Sequence, residues 1–401
     1  MKVLLIGIGY FPNLTAGDKN FFYQLVPLLM ETGKIKLEIV SINDQEENIF
    51  IQKFADYKVK IHNLKRPFHL NRKRFYRIIN NKIFYYHHHK SYQEIMERFL
   101  TIVLYEKFIA NLIKTLSIDL IHFMDNFGPA MPYLKKKFPD TKTTYAPATY
   151  SPRGKFYDWY LKYSFNKLDR IFPFTRAYKQ ILSDLRIPEY KMEVIPWGIK
   201  LFKRSLSFKE RDLIKKKFCC RTSNLLFLWS GWLQQIQEKD FYYSIEEAKK
   251  ITKRYQDIEF IFTFKPEIYQ ERYSFESRDR IRVITNVDDF GLLLEAADIF
   301  FSPVGEKNST VSPPLTWLEA MARGTPIFTT KVRGVEELVL DGENGFIAKD
   351  FSDILYKTEE IRRSDLNFIS VNAKRFVGQN FNIKKTAVDY IKFWQKTVNN
   401  R

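Results

Sequence analysis

Residues Ala297 to Asp350 read ADIFFSPVGEKNSTVSPPLTWLEAMARGTPIFTTKVRGVEELVLDGENGFIAKD. The run Asp298 to Phe301 reads as a short buried strand, and Thr325 to Thr329 as a second one. Between them lies SPPLTWLEAMARGTP, Ser312 to Pro326, which reads as a short helix. Ser312 is a good N-cap, and prolines in the first turn cost nothing because those N–H groups have no partner within the helix. Leu315, Leu318 and Ala322 line one face, and Gly324 before Thr325-Pro326 supplies the stop. Strand, helix and strand at this spacing make a βαβ unit on a parallel sheet. The amino end of the helix presents N–H groups and the positive end of its dipole, and Asn308-Ser309-Thr310 add donors, so a phosphate could bind there. Taken alone, such an end is more often only a cap.

The same alternation extends outward in both directions. Val3 to Ile8 is the first strand, and Phe21, Leu25, Leu28 and Leu29 then recur at helical spacing. Strands follow at Leu37 to Ile42, Asp119 to Phe123, Thr143 to Ala146 and Arg170 to Phe174. Met192 to Ile195 leads into Pro196-Trp197-Gly198, a break at mid-chain. A second βα series opens at Leu225 to Trp229 and continues through Glu259 to Phe264 and Ile281 to Ile284 into the quoted stretch. Two similar α/β halves hinged near residue 198 is the economical reading.

Composition agrees with a globular chain of about two domains: 401 residues, 45% hydrophobic and 28% charged. Against 46 acidic residues stand 65 basic ones, a net charge of +19, and aromatics reach 16%, so a basic surface rich in Tyr and Phe is expected and anionic partners are favoured. Cys219 and Cys220 are the only cysteines and are adjacent, which gives neither a disulfide framework nor a spaced metal motif and suits a reducing compartment. No uninterrupted apolar run is long enough for a membrane-spanning helix, and MKVLLIGIGYF reads as a strand and not a signal peptide, so a cytoplasmic location is expected.

The quoted stretch resembles the donor-binding half of GT-B glycosyltransferases, in particular the large retaining family 4, or group 1. AGDKNFFYQL near the N-terminus, IDLIHF at Ile118 to Phe123, VIPWGIK at the mid-chain break and the closing FNIKKTAVDYIKFWQ fit the same family, in family order. The resemblance implies two Rossmann-like domains facing a cleft: an acceptor domain over 1–198, a nucleotide-sugar donor domain over 199–378, and a final helix over 379–401 that packs back on the first domain. It implies a reaction that needs neither a metal nor a cofactor, the nucleotide sugar being a substrate.

Site residues carry over by position. Family members hold the donor ribose with a glutamate that matches Glu319, and an ionised carboxylate accepting two O–H bonds is a strong grip. A second family glutamate falls on Val311, where Ser312, Ser309 or Glu306 would have to substitute; members with this SPPL-type loop do without it. In WSGWLQQIQEKD, Gly231 and Lys239 match the family's diphosphate grip, whereas Trp232 replaces an arginine. Lys239 and Glu319 are therefore the expected catalytic groups. Gly17, Gly231, Ser309, Thr310, Ser312, Pro313, Leu315 and Gly334 complete the expected donor site with them, Gly334 and Glu337 matching a loop where backbone amides approach the ligand. Ala146 stands about where many members carry a histidine, so no catalytic histidine is assignable, and His122 reads as a buried, hydrogen-bonded strand residue.

Lys65 to Phe99, with Arg72, Lys73, Arg74 and Arg77 among Phe75, Tyr76, Phe84, Tyr85 and Tyr86, is a basic aromatic insertion. Nucleic acid, an anionic membrane and a solvated helical surface all fit it. His87-His88-His89 lacks the spacing of a protein metal site. The expected partners are a nucleotide-sugar donor, a glycan or lipid-linked acceptor and the inner face of an anionic membrane; nucleic acid is not expected, because no recognised module accompanies the charge. The expected activity is sugar transfer in cell-surface polysaccharide or glycolipid synthesis. The alternative is a non-catalytic GT-B scaffold or partner subunit, suggested by Val311 and Trp232.

Overall fold

The computed structural model describes residues 1–8, 17–42, 54, 56–64, 99–124, 130–147, 155–202, 204–231, 235–264, 280–285, 287–305 and 314–400. The chain divides into two units, Met1–Gly198 with Ile383–Arg401, and Ile199–Asn382. The second unit therefore runs past the expected boundary at 378, because its last helix continues to Asn380 before the chain turns back.

The first unit is built on strands β1 (Lys2–Ile8), β2 (Lys36–Ile42), β3 (Lys60–Leu64), β4 (Leu120–Phe123), β5 (Lys142–Tyr145) and β6 (Arg170–Ile171). They form one sheet in the order β3-β2-β1-β4-β5-β6, every pair parallel. Helices α1 (Gly17–Glu31), α2 (Glu106–Leu116), α3 (Ala130–Lys137), α4 (Lys155–Lys167) and α5 (Arg176–Asp184) belong to it. Parallel strands are covered on both faces, which is why Val3-Leu4-Leu5-Ile6 is a continuous buried run and not an alternating one. Of Arg170 to Phe174 only Arg170–Ile171 is strand; Phe172 N–H still donates to the Tyr145 carbonyl at 2.8 Å, but Pro173 has no N–H to continue the ladder. Met192 to Ile195, expected as a strand, lies beside β6 without forming a regular strand: Glu193 and Ile195 N–H donate to the Ile171 and Pro173 carbonyls, both at 3.1 Å.

The second unit repeats the plan with β7 (Leu225–Gly231), β8 (Ile258–Phe264), β9 (Ile281–Thr285), β10 (Ile299–Phe301), β11 (Ile327–Thr330) and β12 (Gly345–Ala348), in the order β12-β11-β10-β7-β8-β9, again all parallel. Its helices are α6 (Phe208–Lys217), α7 (Gln235–Arg254), α8 (Phe290–Ala296), α9 (Leu315–Arg323), α10 (Ile354–Arg363) and α11 (Leu366–Asn380). Much of the aromatic content expected at the surface is buried here instead: Phe227, Phe260, Phe262, Phe301, Phe328 and Phe346 share one core, with Phe227 and Phe260 edge to face at 5.1 Å. Each ring removes a large apolar area from water and gains from the tilted packing.

The closing helix α12 (Ile383–Asn399) completes the first unit. Its Tyr390 and Trp394 are fully buried and pack on His122 of β4, at 5.5 and 5.2 Å between ring centres. Tyr390 also meets Phe21 of α1 and Phe172 just beyond β6.

Candidate functional site

In both sheets the strand order reverses direction once, between β1 and β4 and between β7 and β10. Connections leave such a pair on opposite sides, so a crevice opens at the carboxyl ends of the two strands, and ligands of open α/β sheets bind there. In the second unit Gly231 ends β7, and Ser302 to Gly305 leave β10.

Gly231 is half-buried, and a Cβ added to it would lie 2.6 Å from Cη2 of Trp229, whose ring is itself held in the core against Phe241 at 5.1 Å. Glycine at this strand end is thus required by the chain's own tryptophan. Trp232 lies outside the described residues. Helix α7 follows, with Lys239 exposed in its second turn and without an ion pair to the described residues. The next residue, Asp240, turns the other way: its Oδ1 accepts the Gly305 N–H at 2.7 Å.

The helix expected from Ser312 begins at Leu315, with Pro314 as N-cap in extended backbone (ψ 136°) and no side-chain cap bond. Ser312 is therefore not the cap. Ser309, Thr310, Ser312 and Pro313, with Glu306 and Val311, lie outside the described residues. Trp317, Leu318, Ala320, Met321 and Ala322 are buried, and the less buried residues Thr316, Glu319 and Arg323 fall three and four apart on one strip. Glu319 stands a little over one turn from the amino end of α9. The Leu315 side chain is buried, so what it can offer a ligand is its backbone N–H.

One strand further, beyond β11, Gly334 has φ 82°, a left-handed conformation that glycine adopts without strain, and it opens a turn over Val335–Glu337. The exits of three neighbouring strands, β7, β10 and β11, thus carry Gly231 with Lys239, the start of the loop to α9, and Gly334. Gly17 in the first unit is the first residue of α1, and the loop before it lies outside the described residues.

Two clusters of paired, largely buried charges in the second unit sit at the opposite, amino edge of its sheet. Asp298, just before β10, takes Arg211 at 3.0 Å and Lys215 at 2.7 Å and accepts the Leu226 N–H at 2.7 Å. Arg282 pairs with buried Glu259 at 2.6 Å. Paired and remote from the crevice, the first cluster holds the start of β10 to α6 and the second holds β8 to β9. In the first unit His122 is fully buried, its Nδ1 2.8 Å from the Thr144 hydroxyl, and burial pushes its pKa down to about 3; it is a neutral core residue, as expected.

Residues that sequence reasoning missed are those that shape the β10 exit: Asp240, Trp317, Thr329 and Thr330. Their partners lie between 15 and 65 residues away along the chain, so no local pattern signals them.

Residues 224–361 match the family described as Glycosyl transferases group 1. An uncharacterized glycosyltransferase of Methanocaldococcus jannaschii is 26% identical over 274 residues, 61% of this chain and 63% of that protein. The UDP-Gal:alpha-D-GlcNAc-diphosphoundecaprenol alpha-1,3-galactosyltransferase of Escherichia coli is 27% identical over 222 residues, 53% of this chain and 55% of that protein. The matched stretch thus spans less than two thirds of either relative. A glycosyltransferase from Rickettsia africae has a similar fold, with a TM-score of 0.73 at 16% identity, over 100% of this chain and 99% of that one. The second unit thus carries the group 1 glycosyltransferase match, and the two parallel six-stranded sheets have the fold of GT-B glycosyltransferases.

Proposed function

We propose that the chain is a retaining glycosyltransferase that moves a sugar from a nucleoside-diphosphate sugar, of the UDP class, to a glycan on a lipid-linked acceptor, without a metal. The observation that carries this reading is the convergence of Gly231, Lys239, the start of α9 with Glu319, and Gly334 on three adjacent strand exits at one switch point. The Escherichia coli relative, named for UDP-galactose and a diphosphoundecaprenol-linked sugar, supports both the nucleotide and the acceptor class. In this reading Glu319 accepts the ribose hydroxyls. Lys239 and the amino end of α9 neutralise the leaving diphosphate as the bond to the sugar breaks, and such fixed donors need no reorganisation as charge develops. The test is calorimetric titration with UDP, followed by assay of UDP release from UDP-galactose in the presence of a lipid-linked glycan. Failure of all nucleoside diphosphates to bind removes the donor site. Binding without turnover, for any nucleotide sugar offered, favours the scaffold reading.

Lys239→Ala is expected to weaken UDP binding by about tenfold while leaving uridine binding nearly unchanged, because only the diphosphate presents charge to an ammonium group. Equal losses for the two ligands, measured by titration, would assign Lys239 a structural role.

The same proposal places the enzyme on an anionic membrane. Residues 65–98 of the basic aromatic insertion lie outside the described residues, and Phe99 enters the helical stretch that continues into α2. Leu100, Leu104 and Phe108 are exposed there at spacing four, Leu104 to 56%. The Glu106–Lys137 ion pair at 3.0 Å ties α2 to α3, and α3 packs on α4, where Trp159 (59% exposed) stacks on exposed Tyr163. Lysines Lys136, Lys137 and Lys167 are exposed in the same helical layer. Aromatic and aliphatic groups can enter the interface while lysines meet anionic headgroups, each cation contributing about 1 kcal/mol. Among the described residues no helix is long and apolar enough to cross a membrane. Replacing Arg72, Lys73, Arg74 and Arg77 by Gln, with Trp159 and Tyr163 by Ser, is expected to abolish co-sedimentation with anionic liposomes at low salt and to leave UDP affinity intact. Wild-type protein that stays in the supernatant would send the search for the acceptor to soluble glycans.

A further inference from the structure

The loop leaving β10 is fastened from one side by its own neighbours in the sheet. Ser302 N–H donates to the Phe328 carbonyl at 2.8 Å, its carbonyl accepts from Thr329 Oγ1 at 2.8 Å, and its hydroxyl oxygen accepts from Trp317 Nε1 at 2.9 Å. Thr330 Oγ1 then stands in for a strand residue: it accepts the Val304 N–H at 2.8 Å and donates to the Val304 carbonyl at 2.6 Å. All of these tethers come from β11 and α9. From the β7 side the tether is Asp240, whose carboxylate takes the Gly305 N–H across the crevice. A methyl at Gly305 would press on the carboxylate itself, since a Cβ would lie 2.9 Å from Asp240 Oδ1 and 3.4 Å from Phe351 Cε2.

We infer that Asp240 is a positioning residue of the donor site, which fixes the loop from β10 against the second turn of α7 and so sets the spacing between Lys239 and the start of α9. The residue occupies the position after Lys239, where a free carboxylate would oppose a diphosphate; engaged with an amide, it serves the site by holding one wall to the other. A carboxylate accepting a backbone N–H makes a charge-assisted bond, stronger than a neutral one. Walls that hold a ligand must be fixed to about half an ångström, which is what a bond across the crevice supplies. The inference rests on the reading that this crevice takes a nucleoside diphosphate.

The experiment titrates UDP into the full-length wild type, Asp240→Ala, Asp240→Asn, Gly305→Ala and the double variant Asp240→Ala/Gly305→Ala, with thermal midpoints recorded for each. Asp240→Ala should lose about tenfold in UDP affinity, and Asp240→Asn, whose Oδ1 still accepts from Gly305, should stay within about threefold of wild type. Gly305→Ala should lose as much as Asp240→Ala, and the double variant should be no worse than either single change, because both break the same bond. Wild-type affinity in Asp240→Ala, an Asp240→Asn loss as deep as that of alanine, or additive losses in the double variant would each overturn the assignment. Amide exchange across 302–305, read by mass spectrometry without ligand, keeps the two readings apart. Faster exchange in Asp240→Ala but not in Asp240→Asn supports the clamp even if no nucleotide binds, and unchanged exchange overturns it even if UDP does.

Discussion

Glu319→Gln is expected to keep the fold and to lower UDP affinity at least about tenfold, because a neutral amide replaces a charged acceptor that can take two hydroxyl protons at once. The change is nearly isosteric, and Glu319 is half-buried on the strip of α9 that faces away from the core, so the thermal midpoint of the unliganded protein should move little. A second ligand makes the prediction specific. If the carboxylate grips the ribose, 2′-deoxy-UDP should bind wild-type protein more weakly than UDP does, and the two ligands should become nearly equivalent in Glu319→Gln. A variant that lost both ligands by the same factor, with the preference for UDP intact, would remove the ribose from Glu319.

Trp394→Ala is expected to destabilise the first unit by about 3 to 5 kcal/mol, the cost of deleting a large buried ring whose site cannot fully collapse. Trp394 is fully buried and sits in a triangle of rings with His122 and Tyr390, 5.2 and 5.4 Å away. Trp394→Phe should cost much less, since it keeps an aromatic ring and deletes an indole N–H that has no hydrogen-bond partner among the described residues. Urea unfolding followed by limited proteolysis reads the two units separately. Early loss of fragments from residues 1–198 with the second unit intact is the expected pattern, and an unchanged midpoint for the first unit would mean that α12 contributes little to its core.

The fold was legible because buried parallel strands are continuous apolar runs. Val3 to Ile8, Leu225 to Trp229 and Glu259 to Phe264 could be read almost to the residue, observed as Lys2–Ile8, Leu225–Gly231 and Ile258–Phe264. The strands missed were the edges of the sheets. In β3, Lys-Ile-His-Asn-Leu, only Leu64 is buried, so the polar sequence of a half-covered edge gives little signal. The Gly345–Ala348 strand is short and opens on the glycine of a turn. The local structure of the candidate site was legible at the helix that holds Leu315 to Glu319 and at a glycine whose need is local, Gly334 with its positive φ. The cap was misplaced on Ser312 because a side chain that can cap was weighed above two prolines that dictate backbone. The β10 clamp was illegible because it joins Asp240 to Gly305, two residues brought together only when β7 and β10 lie side by side.

The return of α12 makes the first unit discontinuous in the chain, with the whole of Ile199–Asn382 inserted before its last helix. Synthesis runs from the amino end at about 5–20 residues per second, so the first 198 residues wait roughly ten to forty seconds for the segment that covers Phe21, His122 and Phe172. During that interval the nascent chain carries an open aromatic face while the second unit, continuous in sequence, can already complete its own core. The order of closure is then the reverse of the order of synthesis: the continuous second unit can close its core first, and the amino-terminal unit closes last, when α12 arrives.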